Sequence, residues 1–235
     1  MVRDGALLDF PTREEMARAL ADIIAERLTL ALTEKAAARL AVSGGSTPSR
    51  LYERLSEKSL DWRRVRAMLV DERWVSPGHE HSNERFVART LAQHKARTVE
   101  LMGLWREAPS IDEAAAAASA TLTRQAPFDV VILGMGADGH TASWFPRSEG
   151  LHEALSVDRR ICPVTARKSD VSGECVERLT MSLGAIADAG LICLMMAGAD
   201  KRAAYEAAMA AGPIEDMPAR AILRARADMR VYWAP

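Results

Sequence analysis

The sequence predicts an α/β fold, a mostly parallel sheet with helices on both faces. Short runs rich in Val, Leu, Ile and Met recur at residues 40–43, 67–70, 99–104, 128–133 and 191–196. Longer stretches with helical spacing, many of them Ala-rich, separate these runs. The clearest run, 128–133, is apolar on both faces apart from Asp129, the pattern of a strand covered by helices above and below.

The first strand and helix are expected to begin almost at Met1. Thr12 stands three residues before Glu15, the spacing of a capping box. Met16, Leu20, Ile23, Ile24 and Ala31 then return on one helical face. The run at 40–43 is broken by Gly44-Gly45-Ser46-Thr47-Pro48, and residues 49–55 are read as a helix. After the run at 67–70 comes a polar loop to Gly78, and Ser82 is placed to cap a helix over 83–94. Residues 99–104 are expected as a strand. A surface helix is expected over 111–123, its Ala114 to Ala118 tract being good helix former. The strands at 128–133 and 191–196 follow, the second leading into a helix that runs to about Met209.

Composition narrows the class. With 235 residues, 49% hydrophobic and 27% charged, the chain is globular, and no linker or repeat divides it, so one domain over residues 1–235 is expected. A net charge of −1 leaves no cationic surplus for nucleic-acid binding. Three cysteines without CxxC spacing disfavour a disulfide scaffold or a Cys-rich zinc site, and favour a reducing cytoplasm. Asp4 interrupts the start, and the apolar stretch from Ala6 to Phe10 is too short for a signal-peptide core. Residues 189–199 fall short of the roughly 20 needed to span a bilayer. A soluble, cytoplasmic chain with no membrane or nucleic-acid partner is expected. It is read as a monomer, with a weak dimer as the other outcome.

Four apolar runs end in polar clusters: Ser43-Gly44-Gly45-Ser46-Thr47, Asp71-Glu72-Arg73, Gly134 to Thr141, and Gly198-Ala199-Asp200-Lys201. The carboxyl ends of parallel strands share one sheet edge, where ligands bind, so these clusters converge on one cleft. The first is either a phosphate cradle of backbone N–H groups at a helix start or a plain strand-to-helix turn. It matches neither a Walker A loop nor GxGxxG. In the third, Gly134, Gly136 and Gly139 surround Asp138 and His140, which suggests a close-approaching ligand with His140 as base and Asp138 orienting it or a neighbouring cation, the other reading being a loop histidine with no partner. Lys201 in a first helical turn opposes the dipole, which makes sense if an anion lies opposite, although a long solvated lysine satisfies the same position. Arg73 and Arg178 are further candidate cations. Asp71, directly after its strand, faces the cleft more readily than Glu72. His79-Glu80-His81 lacks a third ligand, so no metal site is assigned.

Gly44-Gly45-Ser46-Thr47-Pro48, Asp71-Glu72-Arg73-Trp74-Val75 with Ser82-Asn83, and Leu133-Gly134-Met135-Gly136-Ala137-Asp138-Gly139-His140-Thr141-Ala142-Ser143-Trp144-Phe145-Pro146 resemble the 6-phosphogluconolactonase family. Arg178-Leu179-Thr180, Gly198 to Lys201 and Pro218 fit the same pattern in the same order. The resemblance implies a three-layer, Rossmann-like α/β fold and a carboxylic ester hydrolase. Its substrate would be 6-phospho-D-glucono-1,5-lactone, a small-molecule sugar-phosphate lactone of the oxidative pentose phosphate pathway, and it would use neither metal nor organic cofactor. Carried onto this chain, His140 is the general base. Gly44, Gly45, Ser46, Thr47, Arg178 and Lys201 form the phosphate-binding set, while Asp71, Arg73, Asn83 and Asp138 line the sugar side or orient His140 or the carbonyl.

Two positions depart from the family pattern. Arg147 replaces the glycine of Phe-Pro-Gly, and Ser169-Asp170-Val171-Ser172-Gly173 stands where a proline pair is usual, so the loop between Lys168 and Arg178 is expected to differ in shape. The nearest alternative is a glucosamine-6-phosphate deaminase-like enzyme. That chemistry needs a carboxylate a few residues after the His, and 141–146 contains none; Arg73 also stands where that family usually has Tyr. A non-catalytic sugar-phosphate-binding regulator would need a DNA-binding helical module, for which the early first strand and helix leave no room.

Overall fold

The fold is that of a computed structural model that describes residues 7–122, 127–156, 159–169 and 171–235. Asp4, Ala6, Thr123 and Asp170, all of which entered the sequence reading, lie outside the described residues. In chain order the first half contains β1 (Leu7–Asp9), α1 (Arg13–Glu34), β2 (Ala38–Val42), α2 (Ser49–Ser56), β3 (Val65–Leu69), β4 (Asp71–Arg73), α3 (Asn83–Thr90), β5 (Glu100–Met102) and α4 (Ile111–Leu122). The second half contains β6 (Val130–Gly134), α5 (Leu151–Ala154), β7 (Ile161–Thr165), β8 (Glu177–Met181), α6 (Leu183–Ile186), β9 (Ile192–Ala197), α7 (Ala199–Met209), α8 (Ala219–Ala225) and β10 (Arg230–Ala234).

Seven strands form one sheet in the order β1-β10-β9-β6-β2-β3-β5, and every pairing in it is parallel. Strands β2, β6 and β9 are almost wholly buried, as strands covered by helices on both faces must be. Helices α1 and α2 pack against each other, α4 packs against β7 and β8, and α7 packs against β9 and α8.

Helix α1 starts where the capping box places it. The Thr12 hydroxyl accepts the Glu15 N–H at 3.1 Å, and Met16, Ala17, Leu20, Ala21, Ile24, Leu28 and Ala31 are buried. Ile23, expected on that face, is only partly buried, while Leu28 completes the stripe. Each fully buried Leu or Ile contributes roughly 1.5–3 kcal/mol relative to exposure.

The helix expected over 83–94 ends sooner, at Thr90. The Gln93 side chain donates to the Thr90 carbonyl at 2.8 Å, His94 takes φ +48°, and the chain continues as a 3-10 turn over His94–Thr98.

A second, antiparallel sheet in the order β4-β8-β7 is the feature the apolar-run reading did not include. It packs against α4 and joins the main sheet through Val70. The Val70 N–H donates to Val42 at 2.9 Å in one sheet, and its carbonyl accepts from Met181 at 2.7 Å in the other. Trp144, fully buried, donates its indole N–H to the Met181 carbonyl at 2.9 Å and fastens the loop after β6 to the second sheet. Among the described residues no helix is long and apolar enough to cross a membrane.

Candidate active site

The chain runs from β2 outward through β3 to β5, then returns to build β6, β9 and β10 on the other side of β2. The strand order therefore reverses between β2 and β6, and a crevice opens at their carboxyl ends. A cleft of about 230 Å³ lies there. That is below the roughly 300–1,000 Å³ of drug-sized pockets and suits one sugar-sized molecule. Gly44, Gly45, Ser46, Thr47, Asp71, Arg73, Asn83, His140, Arg178 and Lys201 all line it.

The glycine-hydroxyl loop forms one wall. A side chain at Gly44 would place its Cβ 2.0 Å from the carboxamide oxygen of Asn83, so only glycine lets these two segments meet. Gly45 adopts φ +98°, a conformation natural to glycine alone. Asn83 is held by a 2.9 Å hydrogen bond from its side-chain N–H₂ to the Asp71 carbonyl. From the first turn of α7, Lys201 Nζ reaches 3.4 Å from the Thr47 hydroxyl. Burial, and then the charge of Arg13, push its ammonium below the ordinary lysine range.

The second sheet forms the opposite wall. Asp71 and Glu72 diverge, because successive strand residues face opposite ways. Glu72 is fully buried at the start of α3, accepting from the Ser82 hydroxyl at 2.9 Å and from the N–H groups of Asn83 and Glu84 at 2.7 and 2.8 Å. It is a helix-capping anion rather than a partner of the cleft cations. Asp71 faces the cleft, with one carboxylate oxygen accepting from Ser143 Oγ at 2.7 Å.

Arg178 is 4% exposed, and its guanidinium is clamped by the Cys175 and Ser172 carbonyls at 2.7 and 2.5 Å. The unusual 169–173 segment thus supplies one of the two acceptors that aim Arg178. Burial first, then the like charge of Arg73, lower its guanidinium to about 10. Arg73 donates to the His81 carbonyl at 2.5 Å, while its Nε is buried with no hydrogen-bond partner among the described residues.

Between the walls stands the loop after β6. Asp138 Oδ1 lies 2.6 Å from His140 Nδ1 and also accepts the His140 backbone N–H at 3.1 Å. Burial works to raise the Asp138 carboxyl, but the hydrogen bonds and charge of His140 outweigh it and hold it below the ordinary value. An ionised Asp138 accepts a hydrogen bond from Nδ1–H, which keeps the proton on Nδ1 and leaves Nε2 as the basic nitrogen. Asp138 itself is behind His140 and not among the residues that line the cleft. A Cβ on Gly136 would fall 2.2 Å from the His140 ring, which explains that glycine. Gly139, at φ +82°, packs under Met217 and passes its carbonyl to Ala219 N–H at 2.9 Å.

Two contributors carried no role in the sequence reading. Ser143 holds Asp71, and Phe145 lies against both His140 and Arg178. Both belong to the quoted motif, but only the fold shows what they touch. No cluster of three or more His, Cys, Asp or Glu suited to a metal ion occurs among the described residues.

The sequence matches the family described as glucosamine-6-phosphate isomerases/6-phosphogluconolactonase over residues 11–233. It is 45% identical to a 6-phosphogluconolactonase of Mesorhizobium japonicum over 230 residues, which cover 96% of this chain and 94% of that protein. The fold is similar to the crystal structure of a 6-phosphogluconolactonase from Shewanella baltica, with a TM-score of 0.92 at 36% identity and full coverage, 100%, of both chains. A monomeric glucosamine-6-phosphate deaminase is similar with a TM-score of 0.81 over 97% of this chain and 96% of that one, at 20% identity, a likeness of fold alone.

Proposed function

The chain belongs to the family of glucosamine-6-phosphate isomerases and 6-phosphogluconolactonases, and from that premise we infer that it hydrolyses 6-phosphogluconolactone to 6-phosphogluconate in the pentose phosphate pathway. His140 is the general base of this reaction. A water held at His140 Nε2 adds to the lactone carbonyl carbon, and its proton passes to the imidazole. The ester bond to the ring oxygen then breaks, and that oxygen takes the proton back. A δ-lactone is already activated, so a positioned base and an oriented substrate carry most of the acceleration, roughly 10²–10⁴-fold for the base.

Lys201, Thr47, the Gly44–Gly45 turn and Arg178 bind the phosphate. Asp71, Asn83 and Arg73 hold the sugar side. The observation that carries this reading is the 2.6 Å contact between Asp138 and His140 Nδ1, made by a histidine that shares its cleft with three cationic side chains. It supports a base whose Nε2 is free to take a proton from water, in a cleft whose cations suit an anionic sugar.

The experiment is acid release at constant pH from freshly prepared lactone. Wild-type protein is expected to accelerate it with no added metal and undiminished by EDTA, and His140→Ala to lose that acceleration. Wild-type rates in His140→Ala would overturn the assignment of the base. Ammonia release from glucosamine 6-phosphate would overturn the substrate.

A further inference from the structure

The ring of Phe145 touches two chemically distinct members of the site. Its centroid is 4.5 Å from that of His140, with the planes inclined by 31°, and the Arg178 guanidinium carbon lies 5.5 Å from the same centroid. Phe145 is 6% exposed and lines the cleft. Its backbone is fixed from both sides, with its N–H donating to Ser143 at 3.1 Å and its carbonyl accepting from Ser148 Oγ at 2.9 Å. The ring therefore has little room to turn away.

This arrangement bears on a specific problem in the reaction inferred above. When His140 takes a proton, an imidazolium forms in a cleft that already holds Arg73 on β4, Arg178 on β8 and Lys201 on α7. The counter-charges are Asp138 on the loop of His140 itself and Asp71 on β4. An aromatic face attracts a cation through its quadrupole, and here one ring serves the fixed guanidinium and the imidazole that becomes charged. A stacked neighbour also limits rotation of the imidazole, which keeps Nδ1 on Asp138 and Nε2 on the substrate side.

We propose that Phe145 is a positioning residue of the lactonase, one ring that aligns the base His140 and the cation Arg178 and steadies the imidazolium formed during turnover. The proposal rests on the lactonase reading and on His140 as its base. It predicts that the aromatic face, rather than apolar bulk, is what the position requires.

The test compares Phe145→Leu with Phe145→Tyr on fresh lactone, beside wild type. Phe145→Leu is expected to lower kcat about tenfold, the scale of one aromatic contact, and to raise KM less, because the Cys175 and Ser172 carbonyls still hold Arg178. The acid limb of its kcat/KM profile moves to lower pH, because the protonated base loses the ring while the cationic neighbours remain. Phe145→Tyr keeps the ring and is expected to restore both kcat and the limb. NMR titration of the His140 ring in the same variants reads the downward shift without substrate, so it stands even if the lactone proves not to be the substrate. Wild-type kcat with an unmoved titration in Phe145→Leu overturns the proposal, as does equal loss in the Leu and Tyr variants. If Phe145→Leu does not fold, Phe145→Trp decides: wild-type kcat and limb support the proposal, and a tenfold fall overturns it.

Discussion

Arg73 and Arg178 stand directly opposite each other across β4 and β8, and the guanidinium hydrogen bonds of both go to backbone carbonyls, those of His81, Cys175 and Ser172. Like charges paired across strands are destabilising. An anion entering the cleft removes that cost, so ligand binding and stability are coupled here. We expect inorganic phosphate and 6-phosphogluconate to raise the Tm of wild type, by an amount equivalent to about 2.7 kcal/mol at hundredfold excess over Kd. Arg73→Gln is expected to lose much of that rise while its unliganded Tm stays level or increases. Calorimetric scans with and without ligand check both halves, and an undiminished rise in the variant would count against the coupling.

Asp138→Asn removes the charge that sets the tautomer of His140 while keeping the shape. A fall in kcat of about 10²-fold or more is expected, within the range of general-base catalysis, with KM nearly unchanged. The same carboxyl has a folded-state pKa below its ordinary value. Its contribution to stability is therefore complete above the ordinary carboxylate range and disappears as pH falls below 3.8 through the depressed value. Acid denaturation followed by circular dichroism should show wild type and Asp138→Asn converging at low pH. A constant gap would refute the linkage.

Lys201 is held below the usual lysine pKa by burial and by Arg13. Its charge is thus lost earlier on the alkaline side than that of a free lysine. Calorimetric titration with inorganic phosphate is expected to weaken as pH rises toward 10.5 in wild type, and to be weak with little such dependence in Lys201→Ala. The lactonase KM of Lys201→Ala should rise with kcat less affected. Unchanged phosphate affinity in the alanine variant would remove Lys201 from the anion site.

Ser143 links two buried groups: its hydroxyl donates to Asp71 at 2.7 Å and its N–H to Thr180 Oγ1 at 3.2 Å. Asp71 and Thr180 are themselves register partners. Ser143→Ala leaves a carboxylate oxygen of Asp71 without its donor, at a cost of about 1–3 kcal/mol. Denaturant unfolding should register that loss, and KM should increase as Asp71 loosens. Stability within a few tenths of a kcal/mol of wild type would show that water replaces the hydroxyl.

Arg147 occupies φ +53°, which accounts for glycine being usual there in the family pattern. Here an exposed ion pair to Asp216 at 2.6 Å accompanies it. Arg147→Gly and Arg147→Ala both lack that pair, but only glycine accepts the backbone without strain. Glycine should therefore be more stable than alanine by roughly 1–2 kcal/mol. The comparison with arginine should be smaller, since exposed pairs contribute about 0–1 kcal/mol. Equal stability of the two variants would argue against strain at this position.

What the sequence made legible follows from where its signals are local. Leu40 to Val42, Val130 to Leu133 and Leu194 to Met196 are unbroken apolar runs, so the parallel sheet and the convergence of its carboxyl ends could be read directly. Strand β4 is Asp-Glu-Arg and reads as a loop, because its pairing partner lies more than a hundred residues away at Arg178 to Thr180. Strand β7 carries Pro163, a strand breaker that is tolerated here because β7 is the edge of its sheet. Asp138 was visible beside His140, two positions apart in the chain. The apposition of Arg73 and Arg178, and the contact of Phe145 with both His140 and Arg178, arise from packing between segments, to which no residue spacing is sensitive.

Val70 belongs to neither sheet, yet it donates to one and accepts from the other. Asp71 and Arg73 follow it directly, while His140 and Lys201 extend from the larger sheet. The two walls of the cleft thus stand on different sheets, joined in the chain at Val70 and tied again by Trp144 and Ser143, so the shape of the cleft depends on docking rather than on either layer alone. On gradual warming, turnover should fade while most of the helical signal persists, because the smaller layer has only to slip for the two jaws to lose alignment.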